Sequence, residues 1–520
     1  MKRTTRMIAL VLCLAMLLGV LAGCSSKQEN TTDGSTAASS SSAASHDTLT
    51  ISIETEPTAL HPAFATSVVS NLVGIQMFET LINKVDGEFV PGLATDWQWS
   101  DDNLSITFTL REGVKFHNGE TMTAEDVAFT YNTAMATGYT ESLCGFMDHM
   151  EVDDDTHVTL YLKDVYGAAL ESIVQATVGI FPKAYYEADP EGFSRNPVGT
   201  GPYKFVEWAS GASITLTKFD EYWGEQKASI PNVKFVLYNN AATSAALALE
   251  NDEIDILTNV AATDVSRLNA AKNVQVATTD GAGIAFVMFS MEDGSLFKDE
   301  NLRLAVAHAI NKEDVLLGAV EGMGTVANAI FPPYTFGISG YEAPGYDPEQ
   351  AKADLAAAGY PDGLTIDVVV NSRDTYYKPA EIVQAQLAEV GINLNMEKME
   401  SNAWFEDVWR AGNYGMSILL FSCALPDVLY YYQMFTSNGS ENFGHVVCPE
   451  LDEAYERART ITDLDERAQA CYDVVKAFGD HAICVPIFCM DKVMAADANL
   501  NGFVAETNGY VYCSQLSWAE

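Results

Sequence analysis

The sequence predicts an α/β fold with more than one domain. Between residues 347 and 421, patterns typical of strands and helices alternate along the chain: Leu364–Val370, Pro379–Val390, Ile392–Lys398, Ser401–Ala411 and Met416–Phe421. This order of strand, helix, strand, helix and strand is typical of parallel strands with both faces of the sheet covered. The length of 520 residues, 48% of them hydrophobic, is enough for several large cores.

The N-terminus has the pattern of a signal peptide, assigned to residues 1–23. A basic start precedes an apolar run, Met7–Val20, which is shorter than the roughly 20 residues of a membrane-spanning helix. The sequence Leu-Ala-Gly-Cys at 21–24 resembles a bacterial lipobox, which implies lipidation of Cys24 and attachment to the membrane. An ordinary signal peptide with an incidental cysteine is the alternative.

Residues 24–46 form a Ser-rich segment with almost no large apolar side chains. Such a segment cannot bury a core, so we expect a disordered tether between the anchor and the body. Seven cysteines remain after Cys13 and Cys24 are set aside, and an odd number leaves at least one thiol without a partner in the chain. Cys484 and Cys489 lie in an apolar run and are expected to be buried thiols.

Composition and motifs exclude several classes of function. The net charge of −42 argues against binding to nucleic acid and against adsorption to anionic lipid. The sequence has no H-E-x-x-H motif, no G-x-S-x-G motif and no Gly-rich phosphate loop that follows a strand. We therefore expect no catalysis, no cofactor and no metal.

The first half of the body contains further predicted elements. A helix is expected at Ser67–Ile82, and strands are expected at five other places: Leu49–Ile53, Val158–Leu162, Ile214–Lys218, Val233–Tyr238 and Ile254–Leu257. Further on, Asp347 has the position of an N-cap, with Pro348 first in the helix and Gly359 at its end.

The segment Leu93–Asn132 has the clearest local pattern. Apolar and polar residues alternate over Leu104–Leu110, which predicts a half-buried strand. A short returning strand is expected at Val114–His117. Thr123 is then a predicted N-cap, with Asp126 three residues later in the capping-box position.

This segment resembles the signature of the family 5 extracytoplasmic solute-binding proteins, the peptide-binding and nickel-binding subunits of ABC importers. The matching stretches are LATDWQWSDD (93–102), TFTLREGVKFHNGE (107–120), TAEDV (123–127), NPVGTGPYKF (196–205), YWG (222–224) and NLRLAVAHAINKEDVL (301–316). The resemblance implies a two-lobed periplasmic-binding-protein-like fold of type II, with an extra subdomain, mixed sheets, flanking helices and a hinge. It assigns 47–81, 198–283 and 484–520 to lobe I, 82–197 to the extra subdomain, and 284–483 to lobe II.

The resemblance also implies a function. The chain would be a lipid-anchored, monomeric receptor that closes on a small solute and delivers it to an ABC permease, whose ATPase subunit supplies the energy. A short peptide is the first expectation for the ligand, with an oligosaccharide, an opine or a nickel chelate as the alternatives. A secreted hydrolase and a surface adhesin are the other classes left open.

Two loops at strand ends are the predicted ligand site. In open α/β sheets ligands bind outside the carboxyl ends of the strands, which here are Asn371–Asp374 and Ser422–Asp427. Arg373 is placed to hold a carboxylate through two parallel hydrogen bonds. The alternative is a solvated arginine paired with Asp374.

The second loop lacks a residue that the resemblance leads us to expect. Dipeptide-binding relatives carry tryptophan and aspartate where this chain has Phe421 and Ala424, with Ser422 between them. A ligand ammonium would therefore be left without its partner, unless Asp427 replaces the missing charge. The alternative for Asp427 is a turn residue after Pro426.

Three further side chains are candidate ligand contacts. His61 and Phe64 lie in the loop that is near the ligand in the family, and Trp404 could stack on a ligand. The alternatives are a structural histidine beside proline and an ordinary core tryptophan.

Overall fold

The computed structural model describes residues 47–519, except 66, 86, 138–139, 240, 339, 423–426, 440–441 and 443; at 141 and 142 only the backbone is described. The predicted signal peptide, the tether and Cys24 lie outside the described residues, as does Ala424.

The strands follow in chain order: β1 Thr48–Ile53, β2 Ile82–Val85, β3 Glu88–Pro91, β4 Ala94–Trp99, β5 Ser105–Leu110, β6 Met147–Val152, β7 His157–Leu162, β8 Tyr203–Ala209, β9 Ser213–Lys218, β10 Asn232–Leu237, β11 Ile256–Leu257, β12 Val274–Phe289, β13 Gly324–Val326, β14 Leu364–Asn371, β15 Ile392–Met399, β16 Met416–Ser422, β17 Cys484–Asp497, β18 Leu500–Asn501 and β19 Ser517–Trp518.

The α-helices are α1 Val68–Gly74, α2 Ala124–Ala136, α3 Glu141–Cys144, α4 Ala169–Ile173, α5 Lys183–Ala188, α6 Ala242–Glu250, α7 Ala262–Ala270, α8 Glu300–Ala309, α9 Lys312–Val320, α10 Pro348–Ala357, α11 Asp374–Glu389, α12 Ser401–Trp404, α13 Val428–Tyr432, α14 Pro449–Arg459 and α15 Leu464–Asp480. α12 continues as a π-helical segment, Phe405–Arg410.

A large mixed sheet organises the body, in the order β16, β12, β17, β11, β1, β10, β9, β8, with β13 also paired to β17. Within it β1 runs parallel to both β10 and β11. The carboxyl ends of these strands therefore lie at one edge of the sheet. Adjacent residues of β17 face opposite cores: Val493 packs with α6 and α7, whereas Met494 packs with β1 and β10.

Two long strands, β12 and β17, pair with each other and connect β16 on one side of this sheet with β11 on the other. Val274–Asp280 pairs with Asp491–Asp497, and Ile284–Met288 pairs with Cys484–Cys489, with a break in the register between Asp280 and Ile284. Because Cys484–Cys489 pairs with Ile284–Met288, it belongs structurally with the 284–483 segment, whereas the sequence analysis assigns it to lobe I. The other domain limits remain predictions.

The backbones are very close at the register break. A Cβ atom at Gly281 would lie 2.3 Å from the carbonyl oxygen of Met490, so only glycine fits there. β16 pairs antiparallel with the second half of β12, and Gly283 lies opposite Ser422.

The signature segment forms a separate antiparallel sheet in the order β4, β5, β7, β6. The half-buried strand predicted there is confirmed, because Ile106 and Phe108 are buried and alternate with partly exposed residues. The predicted capping box of α2 is also confirmed. Thr123 Oγ1 accepts the N–H of Asp126 at 3.3 Å, and the Asp126 carboxylate accepts the N–H of Thr123 at 2.9 Å.

The parallel pairing predicted after residue 347 is confirmed for β14 and β15, which run side by side from Leu364 and Ile392. The expected third parallel strand is wrong, because β16 instead pairs with β12 in the large sheet. β16 still lies beside β14, and Ser417 Oγ donates a hydrogen bond to the carbonyl of Val369 at 2.7 Å.

Three signature stretches meet at one carboxylate, which we call the Glu79 clasp. Glu79 accepts hydrogen bonds from Tyr222 Oη at 2.7 Å, Trp223 Nε1 at 2.6 Å and Thr200 Oγ1 at 2.8 Å. The guanidinium of Arg111 lies 4.5 Å from the Trp223 ring centre. Burial raises the pKa of Glu79 to about 7, against the effect of these donors.

The clasp closes the base of the 82–197 segment. The chain enters this segment beside the point where it leaves, because the N–H groups of Gly201 and Tyr203 donate to Met77 and Gln76 at 2.9 and 3.0 Å. A Cβ atom at Gly199 would lie 2.1 Å from the Met77 carbonyl oxygen, which requires glycine there.

Two smaller observations complete the description. Cys484 and Cys489 are buried thiols, as predicted, and Cys448, Cys471 and Cys513 are also buried outside any disulfide. Within the described ranges, none of the helices combines the length and the apolar character needed to cross a membrane.

Candidate functional site

Polar side chains follow the parallel strands β1 and β11 at the shared edge of the large sheet. Glu54 comes directly after β1, and Asn259 comes two residues after β11. Asn259 Nδ2 donates a hydrogen bond to Glu54 Oε1 at 2.6 Å, and Thr258 Oγ1 donates to the carbonyl of Ser52 at 2.9 Å. These contacts fix the polar edge, which the sequence analysis did not identify.

Lys492 lies on β17 beside this edge. It is the register partner of Thr279, and the neighbouring Val493 accepts the N–H of Val260 at 3.0 Å. Burial lowers the pKa of Lys492 from its usual value, and the charge of Glu54 opposes that shift. A single lysine inside an apolar strand pattern carries no local signal, so sequence reasoning missed it.

The end of β16 lies on the other side of the register break. Phe421 and Ser422 pair with Ile284 and Gly283, so the structure places both predicted residues beside the glycines of β12. The half-buried Phe421 ring lies 5.8 Å from Trp409 and 5.5 Å from Tyr431, centre to centre. An apolar surface beside an exposed serine is suited to part of a ligand side chain.

Arg373 is exposed immediately before α11. The alternative partner, Asp374, lies 3.8 Å from the Lys378 ammonium instead. The first turn of α11 reaches the end of β16, since Tyr376 Oη donates to the carbonyl of Leu420 at 3.1 Å. The two predicted strand-end segments are therefore neighbours, and carboxylate binding by Arg373 remains a prediction.

Asp427 is only 1% exposed and is an internal partner of the protein. Its carboxylate forms an ion pair with Arg467, which is equally buried, and accepts the N–H of Leu429 at 2.9 Å as the N-cap of α13. This geometry favours the structural interpretation over the replacement of a missing ammonium anchor. Ala424, in the same loop, stays a prediction.

His61 does not reach the candidate site. It is 1% exposed, and its Nδ1 accepts the N–H of Ala63 at 3.1 Å. The rings of Phe64, Phe181 and Phe193 surround it at 4.8 to 5.0 Å between centres. Burial lowers the pKa of His61 to about 4, so the imidazole is neutral at pH 7 and belongs to the core.

The half-buried Phe64 therefore supports His61, and a ligand contact by Phe64 remains a prediction. Trp404 has no exposed surface, and its indole N–H donates to the carbonyl of Val369 at 3.4 Å. It packs against Tyr376 and Phe405. A ring without exposed surface leaves no face open to a ligand, and this burial favours the core alternative for Trp404.

A cavity of about 350 Å³ lies elsewhere, between the first turns of α8 and α14, and is lined in part by Arg303 and Cys448. His481 spans it with hydrogen bonds to Glu300 at 2.8 Å and Glu450 at 3.1 Å. Burial lowers the pKa of His481, whereas these hydrogen bonds raise it, and the net shift of the pKa is upward. The cavity is thus bridged by internal ion pairs.

Comparison with known proteins gives a consistent result. Residues 88–443 match the model of a family described as bacterial extracellular solute-binding proteins, family 5, middle region. The chain is 26% identical over 542 residues to heme-binding protein A of Haemophilus influenzae, covering 96% of this chain and 97% of that protein. It is 27% identical over 402 residues to the dipeptide-binding protein of Escherichia coli, covering 70% and 73%.

Among solved structures, the chain resembles the periplasmic binding protein DppA of Helicobacter pylori in complex with the peptide STSA. The TM-score is 0.76 at 25% identity, and the similarity covers 91% of this chain and 98% of that one. This similarity confirms the predicted α/β fold of the periplasmic-binding-protein type.

Proposed function

Since the chain belongs to family 5 of the bacterial extracellular solute-binding proteins, we propose that it captures a short peptide and delivers it to an ABC importer. The observation that carries this proposal is the position of the polar edge and of the β16 end on either side of one register break. Such a site would lie between two parts of the protein that are connected through β12 and β17.

The spacing of the two groups suits a short ligand. Along β12, Thr279 is the partner of Lys492 and Gly283 is the partner of Ser422, a separation of four residues. Four extended residues span at most roughly 13 Å, the length of a peptide of two to four residues. The apolar Phe421 ring and the polar edge would contact the side chains and the backbone of such a peptide.

Hinge closure is the proposed mechanism. β12 and β17 are the strands that run through both sides of the site, and their ladder is already interrupted between Asp280 and Ile284. Bending there would bring the two groups together, and a ligand that contacts both favours the closed state by its differential affinity. The protein itself would not turn over its ligand.

The proposal extends to the surroundings of the protein. A lipid on Cys24 would hold the body at the outer face of the membrane, where a monomer could meet the permease and its ATPase subunit. The tether predicted at 24–46 would supply the reach.

A non-peptide ligand is the alternative, because heme-binding protein A is among the similar proteins. Native mass spectrometry of gently purified protein identifies a co-purifying solute. Calorimetry with di-, tri- and tetrapeptides and with hemin then measures the affinity for each class. We expect peptide binding without hydrolysis; binding of hemin alone would contradict the peptide proposal, and turnover of peptides would contradict a pure binding role.

Small-angle scattering tests the mechanism separately. A peptide at saturating concentration should reduce the radius of gyration of wild-type protein. An unchanged radius with bound peptide would contradict hinge closure.

A further inference from the structure

Lys492 is an unusual cation in a strongly acidic chain. The protein has 29 Lys and Arg residues against 71 Asp and Glu residues, so carboxylates far outnumber the cations that could pair with them. Within the described part of the chain, Lys492 forms neither an ion pair nor a hydrogen bond through its ammonium. Burial nevertheless lowers its pKa, and the charge of Glu54 opposes this shift without forming an ion pair with the ammonium.

Lys312, which is more deeply buried than Lys492, shows how the protein can satisfy such a group. Burial lowers the pKa of Lys312 to about 8, and its ammonium donates a hydrogen bond to the carbonyl of Ala327 at 3.0 Å. Lys84, another partly buried lysine, is paired with Glu171. Lys492 has no comparable partner.

The nearest named charge does not fill this role. Glu54 acts on Lys492 electrostatically, but its Oε1 is engaged by Asn259 at 2.6 Å, and Glu54 forms no ion pair with Lys492 in the structure. Asp491 is adjacent in sequence, but successive side chains of a strand face opposite sides of the sheet. Asp491 lies opposite Asp280, and burial together with that charge raises the pKa of Asp491.

The C-terminal segment leaves space for the lysine side chain. Gly509 has a φ of +75°, and a Cβ atom there would lie 2.9 Å from Cε and 3.1 Å from Nζ of Lys492. The positive φ favours glycine at this position, and the lysine side chain packs directly against its Cα. The lysine is held at the polar edge rather than extended into solvent.

We propose that Lys492 binds a carboxylate of the ligand at the polar edge of the large sheet. This inference rests on the proposed function: in a peptide, the carboxylate belongs to the C-terminus or to an acidic side chain. A charge-assisted hydrogen bond would stabilise the half-buried ammonium that the protein leaves without a hydrogen-bond partner. In the ligand-free protein the Lys492 ammonium is partly desolvated without a hydrogen-bond partner, and a bound carboxylate would offset that cost.

The test compares Lys492→Met with Lys272→Met, which removes an exposed lysine from the connection between α7 and β12. Calorimetry uses N-acetyl-trialanine as the free acid, the same peptide as its C-terminal amide, and N-acetyl-Ala-Glu-Ala amide, in which only the side chain is acidic. Lys492→Met should weaken the preferred acidic peptide at least tenfold and change the neutral amide less than twofold. Lys272→Met should leave every affinity within twofold of wild type.

The two acidic peptides distinguish the source of the carboxylate. A loss confined to the free acid assigns the C-terminus, and a loss confined to the glutamate peptide assigns a side chain. An unchanged ratio of acidic to neutral affinity in Lys492→Met would overturn the inference. Arg373→Ala, measured in parallel, shows whether the exposed arginine makes an additional contribution to the same ratio.

Failure of the proposed function is recognised separately. If wild type binds none of the peptides and no related peptide co-purifies, the peptide proposal fails. Native mass spectrometry then compares occupancy by the co-purified solute in the two lysine variants. Selective loss from Lys492→Met supports the inference, and equal occupancy overturns it. Thermal unfolding completes the comparison, because loss of a half-buried ammonium without a hydrogen-bond partner should not lower the melting temperature.

Discussion

The ion pair between Arg467 and Asp427 offers a test of the interpretation of Asp427. Both side chains are 1% exposed, so Arg467→Met leaves a buried carboxylate without its counter-ion. Breaking a buried pair from one side typically costs about 3–5 kcal/mol. The N–H of Leu429 still donates to Asp427 at 2.9 Å, so we expect a loss near the lower end, about 3 kcal/mol.

Chemical denaturation of wild type and variant measures this loss. Arg410→Met is the matched control, because Arg410 forms an exposed pair with Glu406 at 2.8 Å, one helical turn away. Pairs of that kind contribute about 0.5 kcal/mol or less.

A loss below about 1 kcal/mol would refute this reasoning. It would mean that the Asp427 carboxylate does not depend on Arg467 and is available to a ligand ammonium. A second variant, Asp427→Asn with wild-type Arg467, should leave unchanged the ratio of affinities for a dipeptide and its N-acetylated form. A change in that ratio would assign Asp427 to the ligand.

Three other predictions concern separate parts of the molecule. Glu79→Gln removes a carboxyl whose pKa rises from 4.5 to about 7 on folding. The contribution of this carboxyl to stability is therefore present below pH 4.5 and lost as the pH rises through 7. The melting temperature of Glu79→Gln should vary less with pH than that of wild type. Equal pH dependence of the two proteins would contradict this. Ala424→Asp should improve binding of free-amine dipeptides by about 1–3 kcal/mol in calorimetry, unless wild type already prefers them to N-acetylated forms. Cys24→Ala should move the protein from the membrane fraction to the medium or periplasm, and wild-type membrane association would contradict lipidation.

The features predicted correctly from the sequence depend on neighbouring residues. The capping box of Thr123 and Asp126 closes over three residues, and the start of α10 at Asp347 and Pro348 is equally local. The alternation of β5 follows from the two-residue period of a strand. Such patterns depend only on residues that are close in sequence.

The errors arise where a distant contact decides the structure. The helix expected over Ser67–Ile82 ends at Gly74, and the Gln76 side chain bonds to Leu72 and Val511, at 3.0 and 2.7 Å. The strand expected at Val114–His117 forms only a bridge from Lys115 to Thr121. In its place, the N–H of His117 donates to the carbonyl of Gly199 at 2.9 Å.

The candidate site shows the same division. Strand-end reasoning predicted Arg373, Phe421 and Ser422 as ligand contacts, because the end of a strand can be recognised from local pattern. It could not identify the counter-ion of Asp427, which lies 40 residues away in sequence at Arg467. It also could not identify Lys492, whose significance depends on Gly509 and Glu54.

The Glu79 clasp has a consequence for how such a protein can be rebuilt. The clasp ties residues 76–79 to residues 199–203, so the intervening chain leaves and rejoins the core through a single narrow neck. Two cuts at neighbouring points would free both ends of this insertion, and a replacement needs ends that are close together. It would also have to cover His61, because Phe181 and Phe193 of the insertion pack around that ring. Tyr222 and Trp223 lie outside the insertion and would still hold Glu79. The neck is thus a natural grafting point, where a foreign domain can be joined without a new break in the strands of the large sheet.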